Sequence, residues 1–239
     1  MKARQMRPQS EQKRTAILEA AAHAIAEHGF HGMSMRELAR ETGQALATFY
    51  NYFRSKDEVI FHIQAGAFET MIVTAEDALR GLTSPQDRLF AFIYQHVRFV
   101  AEHPDVMRVL VHEASAVAPA RRNQVRTLKE RYYDLGRRIV GELFREGCGA
   151  QGAAGSKAGQ LELERITYGV FGMLNWAYGW YDPSRHGTPG EVARSLHALA
   201  LCGLVAKCPN RVTQTQDTLE RKLSVVSPAP LIGARRTSP

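Results

Sequence analysis

Apolar residues recur every three to four positions along most of the chain, a period that predicts amphipathic helices. The strict apolar–polar alternation of a β-strand is absent from the sequence, as are internal repeats and a glycine-rich phosphate loop. The predicted helices cover about residues 35–42, 45–52, 57–81, 85–103, 105–115, 119–146, 160–180 and 189–206. The sequence therefore predicts an all-α fold.

Residues 34–53 contain the most distinctive local pattern, two short helices separated by a glycine. Ser34 precedes the first helix and Glu37 follows three residues later, which is the capping-box signature of a helix start. Gly43 accepts the left-handed conformation that ends a helix and turns the chain. Two short helices joined by such a turn form the helix-turn-helix, which places its second helix in the DNA major groove.

The second helix of this pair is unusually rich in hydrogen-bonding side chains. Leu46, Phe49 and Phe53 are spaced to anchor it to a core, whereas its hydroxyl and amide groups suit phosphates and base edges. Lys56 lies at the start of the next helix, where the dipole favours a phosphate. The predicted DNA-contacting residues are Ser34, Arg36, Gln44, Ala45, Thr48, Tyr50, Asn51, Tyr52 and Lys56. The alternative is a corner of an all-helical enzyme, with the tyrosines as half-buried packing residues.

The run Thr48-Phe49-Tyr50-Asn51-Tyr52-Phe53, followed by Ser55-Lys56, resembles the DNA-binding domain of the TetR family of one-component transcriptional regulators. The match extends from about residue 11 to residue 71 and includes the terminal Gly29-Phe30 of the preceding helix. The resemblance implies an N-terminal three-helix domain that contains the helix-turn-helix. It also implies a larger helical domain after it, for ligand binding and dimerisation.

Two residues depart from the family pattern at the start of the recognition helix. Ala45 stands where the family usually has serine, and Ala47 stands where it usually has glycine. A lost capping hydroxyl costs a helix roughly 1 kcal/mol, and Gln44 is the nearby side chain that offers a donor instead. The apolar surface of the two alanines suits thymine methyl groups or sugars rather than hydrogen-bonded base readout. The departures therefore bear on the operator sequence, not on the fold.

The charge distribution agrees with a polyanionic partner. The 239-residue chain carries a formal net charge of +7, and its first residues are basic without an acidic residue before Glu11. We expect a flexible basic arm over 1–10, the DNA-binding domain over 11–71 and the effector-binding and dimerisation domain over 72–206. The proline-containing, basic segment 207–239 has few large apolar residues and is expected to be disordered.

Cysteine, histidine and apolar runs exclude several other classes of protein. The cysteines at 148, 202 and 208 are odd in number and lack metal-ligand spacing, and two sets of histidines lack carboxylate or thiol partners at such spacing, so no metal site is expected. The histidines concerned are His23, His28, His31, His96, His103 and His112. No apolar run is long enough for a membrane span and no signal peptide opens the chain. We therefore expect a cytoplasmic protein, and the TetR resemblance implies a bacterial one that is associated with the nucleoid.

The last two long predicted helices, 160–180 and 189–206, are more apolar than one core face requires. The family resemblance implies that they pair with those of a second copy to form a homodimeric four-helix bundle. A dimer suits a palindromic operator, because two recognition helices then meet successive major-groove faces. The alternative is that both are ordinary interior helices of a monomer.

Aromatic residues are concentrated near the end of helix 160–180, and methionine and aromatic side chains make adaptable walls for an apolar ligand. The predicted ligand-pocket residues are Phe99, Met107, His112, Tyr132, Tyr133, Met173, Trp176 and Tyr178. This region is similar to a TetR subgroup that regulates fatty-acid and sterol catabolism, which implies an acyl-CoA thioester as effector. Basic residues are available for CoA phosphates, namely Arg121, Arg122, Arg126 and Arg137. The alternatives are an aromatic core or dimer seam, and a solvated basic helix face.

Two functional hypotheses follow. The first is a dimeric, ligand-responsive regulator of transcription, most simply a repressor that a small apolar effector releases from DNA, without a cofactor and without catalytic residues. The second is a small helical enzyme or lipid carrier. An enzyme requires a nucleophile and base or paired carboxylates in a pocket, and His112 beside Glu113 is the one candidate pair. Adjacent helical residues point to different faces, so this pair does not predict a catalytic dyad.

Overall fold

A computed structural model of the protein describes residues 8–148 and 156–205. Ten α-helices and one 3₁₀ turn, Ala177–Gly179, make up its regular structure. The helices are α1 Pro8–His28, α2 Met35–Glu41, α3 Leu46–Tyr52, α4 Lys56–Leu79, α5 Pro85–Glu102, α6 Pro104–His112, α7 Pro119–Cys148, α8 Lys157–Trp176, α9 Pro183–His186 and α10 Pro189–Val205. The predicted all-α fold is confirmed, and within the described ranges the chain contains no strand. None of the described helices combines the length and apolarity needed to span a membrane.

Helices α1, α2 and α3 form a small domain around one core, together with the first turns of α4. Phe49 and Phe53 are fully buried there, as their spacing predicted, with their ring centroids 5.5 Å apart. Each such side chain contributes about 1.5–3 kcal/mol by leaving water. The guanidinium carbon of Arg14 lies 5.3 Å from the centre of the Phe53 ring. This packing fixes α3 by its apolar side and leaves the other side outward.

The larger core lies among α4, α5, α7, α8 and α10. Helix α4 contributes to both cores, because Val59 and Ile60 pack under α1–α3 whereas Met71 and Ile72 pack in the larger core. The helix predicted over 57–81 therefore joins the two domains as one continuous 24-residue rod.

Several predicted boundaries were wrong by a few residues. Helix α1 begins at Pro8, so residues 8–10 are helical rather than part of the arm, of which residues 1–7 lie outside the described structure. Helix α6 ends at His112 instead of residue 115, and α4 ends at Leu79, just before Gly81 takes a φ of 75°. The predicted tail 207–239 lies outside the described residues.

The glycine-rich segment between the predicted helices 119–146 and 160–180 is partly helical. Helix α7 extends to Cys148, and α8 begins at Lys157 because the Ser156 hydroxyl caps it by accepting the Gly159 N–H at 3.1 Å. Residues 149–155 lie outside the described structure. At its other end α8 stops at Trp176 rather than residue 180, because the chain tightens into the 3₁₀ turn.

Candidate functional site

Helix α3 presents a mixed outer surface. Tyr50 and Asn51 are exposed, as are Ala45 and Ala47 at its start, and Thr48 is half-buried. The alternative in which the tyrosines serve as packing residues does not hold for Tyr50, whose exposed fraction is 48%. Tyr52 is partly buried against the small core. The helix therefore carries free hydroxyl and amide groups on the side away from the core.

The turn between α2 and α3 matches the local signals in the sequence. The Ser34 hydroxyl accepts the Glu37 N–H at 3.2 Å, and the Glu37 carboxylate accepts the Ser34 N–H at 2.7 Å, which confirms the capping box. These bonds hold the pKa of Glu37 below its usual range. Gly43 has the predicted left-handed backbone, with a φ of 65°. Ala45 caps α3 without a side-chain bond, and the Gln44 amide donates to the Thr42 carbonyl at 3.2 Å.

Lys56 is partly buried and contacts Phe30 of the small domain, an interaction that the sequence did not reveal. Its Nζ donates to the Phe30 carbonyl at 2.9 Å and lies 4.4 Å from the centre of the Phe30 ring. An ammonium group has three donors, so two remain for a phosphate. The phosphate contact of Lys56 stays a prediction, as do the contacts of the other eight candidate residues.

A cavity of about 310 Å³ lies in the larger domain, between α4, α6, α7 and α8. Its lining residues are Phe68, Met71, Met107, Leu110, Val111, Ala114, Lys129, Tyr132, Tyr133, Tyr168, Phe171 and Asn175. Of the eight predicted pocket residues, Met107, Tyr132 and Tyr133 line this cavity. Phe68 and Met71 of α4 were not predicted as pocket residues, because their spacing is that of any buried helix face.

The other predicted pocket residues lie elsewhere. Phe99 lines a second cavity, and His112, Met173, Trp176 and Tyr178 line neither of the two. Trp176 was wrongly placed in the pocket, because the rotation of α8 turns its side chain outward to an exposed fraction of 60% and turns Phe171 inward.

The polar groups around the first cavity carry one formal positive charge and no negative one among the described lining residues. Lys129 supplies the charge, and Asn175 and three tyrosines supply neutral groups. Burial, aided by neighbouring Tyr168, raises the pKa of Tyr133 to about 12, so its phenol stays neutral at physiological pH. The cavity therefore favours an apolar ligand with a negative or carbonyl-bearing end.

Three of the histidines considered for a metal site lie in the larger domain and have separate surroundings. His96 is buried, its Nδ1 lies 3.0 Å from the Tyr132 hydroxyl, and burial lowers its pKa to about 3, so it is neutral. His103 Nδ1 lies 4.0 Å from a Glu19 oxygen. His112 Nε2 lies 2.6 Å from the Tyr178 hydroxyl. His112 thus faces away from the adjacent Glu113, and the two do not form a catalytic pair.

Helix α6 stands between the cavity and the DNA-binding domain. Its face toward the cavity carries Met107, Leu110 and Val111. Its opposite face contacts α1, through the pair Asp105–His23 at 2.8 Å and the pair Arg108–Glu27 at 2.9 Å.

Glu113, directly after α6, completes the junction. Its Oε1 accepts the Phe30 N–H at 3.0 Å, and its carbonyl accepts the amide of buried Gln64 at 2.7 Å. The contacts of His23, Glu27 and Phe30 advance in the same direction along both segments. Helices α1 and α6 therefore run parallel and form one interface.

A second cavity, of about 560 Å³, opens at the same junction. Its walls come from both domains, including Leu18 of α1, Phe61 and Gly66 of α4, and Phe99 and His103 of α5 and its end. It lies on the α1 side of α6, whereas the smaller cavity lies on the α7 side.

Helices α8 and α10 carry large apolar side chains on their outer faces. Leu161, Tyr168 and Trp176 are exposed on α8, and Leu199 is exposed on α10. A methyl group added at Gly169 or Gly172 of α8 would meet no atom within 4 Å. Such a face is unusual for a helix in contact with water and coincides with the predicted dimer helices.

Three of the four arginines considered for phosphate binding have partners within the protein. Arg122 donates to the Val117 carbonyl at 3.4 Å, and Arg126 lies 3.6 Å from a Glu130 oxygen. Arg121 lies 3.7 Å from a Glu58 oxygen and 4.7 Å from the centre of the Phe61 ring. Arg122 and Arg126 are exposed on α7, in the same face as Lys129, since they precede it by seven and three residues. Arg137 is also exposed.

Known proteins with similar sequences place the chain in one family. Residues 17–63 match the model of bacterial regulatory proteins of the tetR family, and residues 82–204 match that of the tetracyclin repressor-like C-terminal domain. The fatty acid metabolism regulator protein of Bacillus subtilis (strain 168) is 26% identical over 93 residues, or 39% of this chain and 48% of that protein. The match thus spans about half the length of this curated relative.

Solved structures share the architecture. PfmR, a TetR family transcriptional regulator from Thermus thermophilus, aligns with a TM-score of 0.65 and 27% identity over 79% of this chain and 95% of its own. AibR, crystallised with isovaleryl coenzyme A and operator DNA, has the same fold, with a TM-score of 0.65 and 20% identity over 78% of this chain and 97% of its own. The helix-turn-helix, the larger helical domain and the two matching family models show that this chain belongs to the TetR family of bacterial transcriptional regulators.

Proposed function

We propose that this protein is a homodimeric repressor that binds a palindromic operator through α3 and leaves it when an acyl-CoA occupies the smaller cavity. The observation that carries the proposal is the position of α6. One side of this helix lines the cavity, and the other side is bonded to α1 of the DNA-binding domain. A ligand that displaces α6 therefore moves the DNA-binding domain.

The DNA contacts come from the outer side of α3 and the residues around it. Tyr50 and Asn51 are free to meet phosphates and base edges, and Arg36 adds an exposed positive charge on α2. Two copies joined through the outer faces of α8 and α10 present two such helices. The half-sites of a symmetric operator are then about 34 Å apart, one turn of DNA.

The assignment of an acyl-CoA effector has three supports. The cavity lining is apolar with one cationic group, Lys129. The Bacillus subtilis protein that matches part of this chain is named a fatty acid metabolism regulator, and the structurally similar AibR was solved with isovaleryl coenzyme A. Arg122 and Arg126 continue the positive charge of Lys129 along α7, where they suit CoA phosphates.

Release from DNA follows from thermodynamic linkage. The effector binds better to an arrangement in which the two α3 helices no longer fit successive major grooves. It therefore weakens DNA binding by some factor, and DNA weakens effector binding by the same factor. Glu113 connects the end of α6 to two other elements, since it is bonded to both the α1–α2 turn and α4. Such a regulator works in the bacterial cytoplasm, at the nucleoid.

The test is fluorescence anisotropy of the full-length protein with its own upstream DNA at fixed salt, with and without acyl-CoA thioesters. Specific binding that one thioester releases supports the proposal as a whole. Specific binding that the whole series leaves unchanged keeps the regulator and removes the acyl-CoA effector. If neither upstream DNA nor a pool selected from random sequences gives specific binding, a lipid carrier or an enzyme becomes the better explanation of the cavity.

A further inference from the structure

The volume of the smaller cavity limits how much of an effector it encloses. One methylene group fills about the volume of one liquid water molecule, roughly 30 Å³, so a cavity of about 310 Å³ holds about ten carbon atoms. Cavities that enclose a whole drug-sized ligand range from about 300 to 1,000 Å³. A cavity at the lower end of this range has room for the acyl part of a CoA thioester but not for its nucleotide part as well.

The wall formed by α7 and α8 is closed to further extension. Phe171 lines the cavity, and its ring lies 5.2 Å from that of Tyr133 and 5.8 Å from that of Phe92. A methyl group at Gly136 would come within 2.9 Å of both phenylalanine rings, so no space remains behind them. Protein cores of this density do not yield to one more methylene without strain. A longer chain finds no further room on this side.

The charge of the lining lies at an exposed position. Lys129 is exposed on α7, whereas Met71, Met107 and Phe171 are buried. Arg126 and Arg122 lie on the same helical face as Lys129, toward the start of α7. A ligand therefore lies with its apolar end inward and its negative or carbonyl-bearing end at Lys129.

From this arrangement we infer that the effector is a medium-chain acyl anion with about eight to ten carbons in its chain. The inference rests on the proposed function, whose effector class it narrows. The group at Lys129 is either the carboxylate of a free fatty acid or the thioester carbonyl of an acyl-CoA, whose phosphates lie beyond the pantetheine arm, where Arg126 and Arg122 are exposed on α7. The two sources share one recognition chemistry, a straight apolar chain whose carbonyl oxygen meets a cation.

The experiment is isothermal titration calorimetry of the full-length protein with saturated acyl-CoAs of four to sixteen carbons, CoA alone and the matching free acids. We expect the dissociation constant to fall about fourfold per added methylene until about ten carbons, and then to stop falling. A dissociation constant that keeps falling through hexadecanoyl-CoA overturns the inference, and so does CoA alone binding as tightly as decanoyl-CoA.

Two variants move the length limit in opposite directions. Leu110→Phe adds three carbons at a partly buried position of the lining and should shorten the preferred chain by about that number, whereas Leu110→Ala removes three carbons and should lengthen it. Thermal unfolding of each variant verifies that it is folded. A limit that stays in place in both folded variants overturns the inference.

The charged end is tested by Lys129→Gln, with Arg138→Gln as a control that removes the same charge from an exposed position of the same helix outside the cavity. We expect about tenfold weaker binding for the first and less than twofold for the second; equal effects overturn the role of Lys129. Binding of thioesters alone assigns the group at Lys129 to the thioester carbonyl, and equal binding of free acids assigns it to a carboxylate. Either result supports the shared chemistry.

DNA affinity measured on the same samples keeps this inference separate from the proposed function. A protein that binds operator DNA but no acyl compound overturns the inference and leaves the regulator. A protein that shows the length limit but no specific DNA binding supports the ligand assignment and removes the repressor.

Discussion

Removal of the Glu113 carboxylate tests whether the junction after α6 transmits the state of the cavity. In Glu113→Ala the Phe30 N–H loses its acceptor at 3.0 Å, in a partly buried place. A hydrogen bond to a charged group contributes about 1.5–3 kcal/mol, and partial exposure places the expected loss of unfolding free energy at about 1.5–2 kcal/mol. Glu113→Gln keeps a neutral acceptor, and since charge-assisted bonds are about twice as strong as neutral ones, about half of the loss is expected.

The assay has two parts, both at one fixed protomer concentration, because the stability of the proposed dimer depends on that concentration. Urea unfolding gives the stability change, with Glu162→Ala as control, since that exposed carboxylate pairs at 3.5 Å with Arg165 on its own helix and should change stability by less than about 1 kcal/mol. DNA anisotropy with and without effector gives the coupling, which should fall in Glu113→Ala while effector affinity in the absence of DNA changes little. The role assigned to Glu113 is refuted if Glu113→Ala is as stable as the control Glu162→Ala. It is also refuted if the effect of the effector on DNA affinity is unchanged in Glu113→Ala.

Three other predictions concern single contacts. Gly136→Ala should lower the unfolding free energy by about 1–3 kcal/mol, because its methyl group meets two aromatic rings at 2.9 Å, whereas Gly66→Ala, with open space at its Cβ, should raise it by about 0.5–1 kcal/mol; urea unfolding measures both. The Asp105 carboxylate raises the pKa of His23, so this pair stabilises the protein below the unfolded pKa of about 6.5 and the gain disappears as pH rises through the folded pKa. The stability difference between wild type and His23→Gln should therefore shrink from about pH 6 to about pH 8, and a constant difference contradicts the assignment. Lys56→Ala should weaken binding to all DNA sequences and reduce the salt slope by about one, and an unchanged slope removes the proposed phosphate contact.

Local signals sufficed to predict the DNA-binding domain. The capping box at Ser34, the left-handed turn at Gly43 and the apolar anchors of α3 depend on neighbours within a few residues, and the structure has them as expected. The contact of Lys56 with Phe30 spans 26 residues, and no local pattern predicts it. The sequence thus shows which side chains of α3 are available to DNA, but not that Lys56 beside them is already bonded to Phe30.

The cavity was less predictable for a geometric reason. Phe171 and Trp176 are both large aromatic residues of α8, five positions apart, and five positions turn a helix by more than one full turn. The first lines the cavity and the second is exposed. Which of them points inward depends on how α8 is rotated against α7, and packing between distant segments sets that rotation. Composition alone indicated an aromatic-lined site without giving its wall.

The parallel interface of α1 and α6 has a consequence for protein engineering. A hybrid regulator made with one cut treats the DNA-binding domain and the larger domain as two independent parts. Here the surface under α1 belongs to residues about eighty positions later, Asp105, Arg108 and Glu113, and α4 runs uncut through both cores. In a hybrid joined at a single point within α4, α1 comes from one parent protein and the α6 surface that it contacts comes from the other. A functional hybrid must therefore take two segments from the same parent protein, the DNA-binding domain with its recognition helix and the α6 surface that contacts α1.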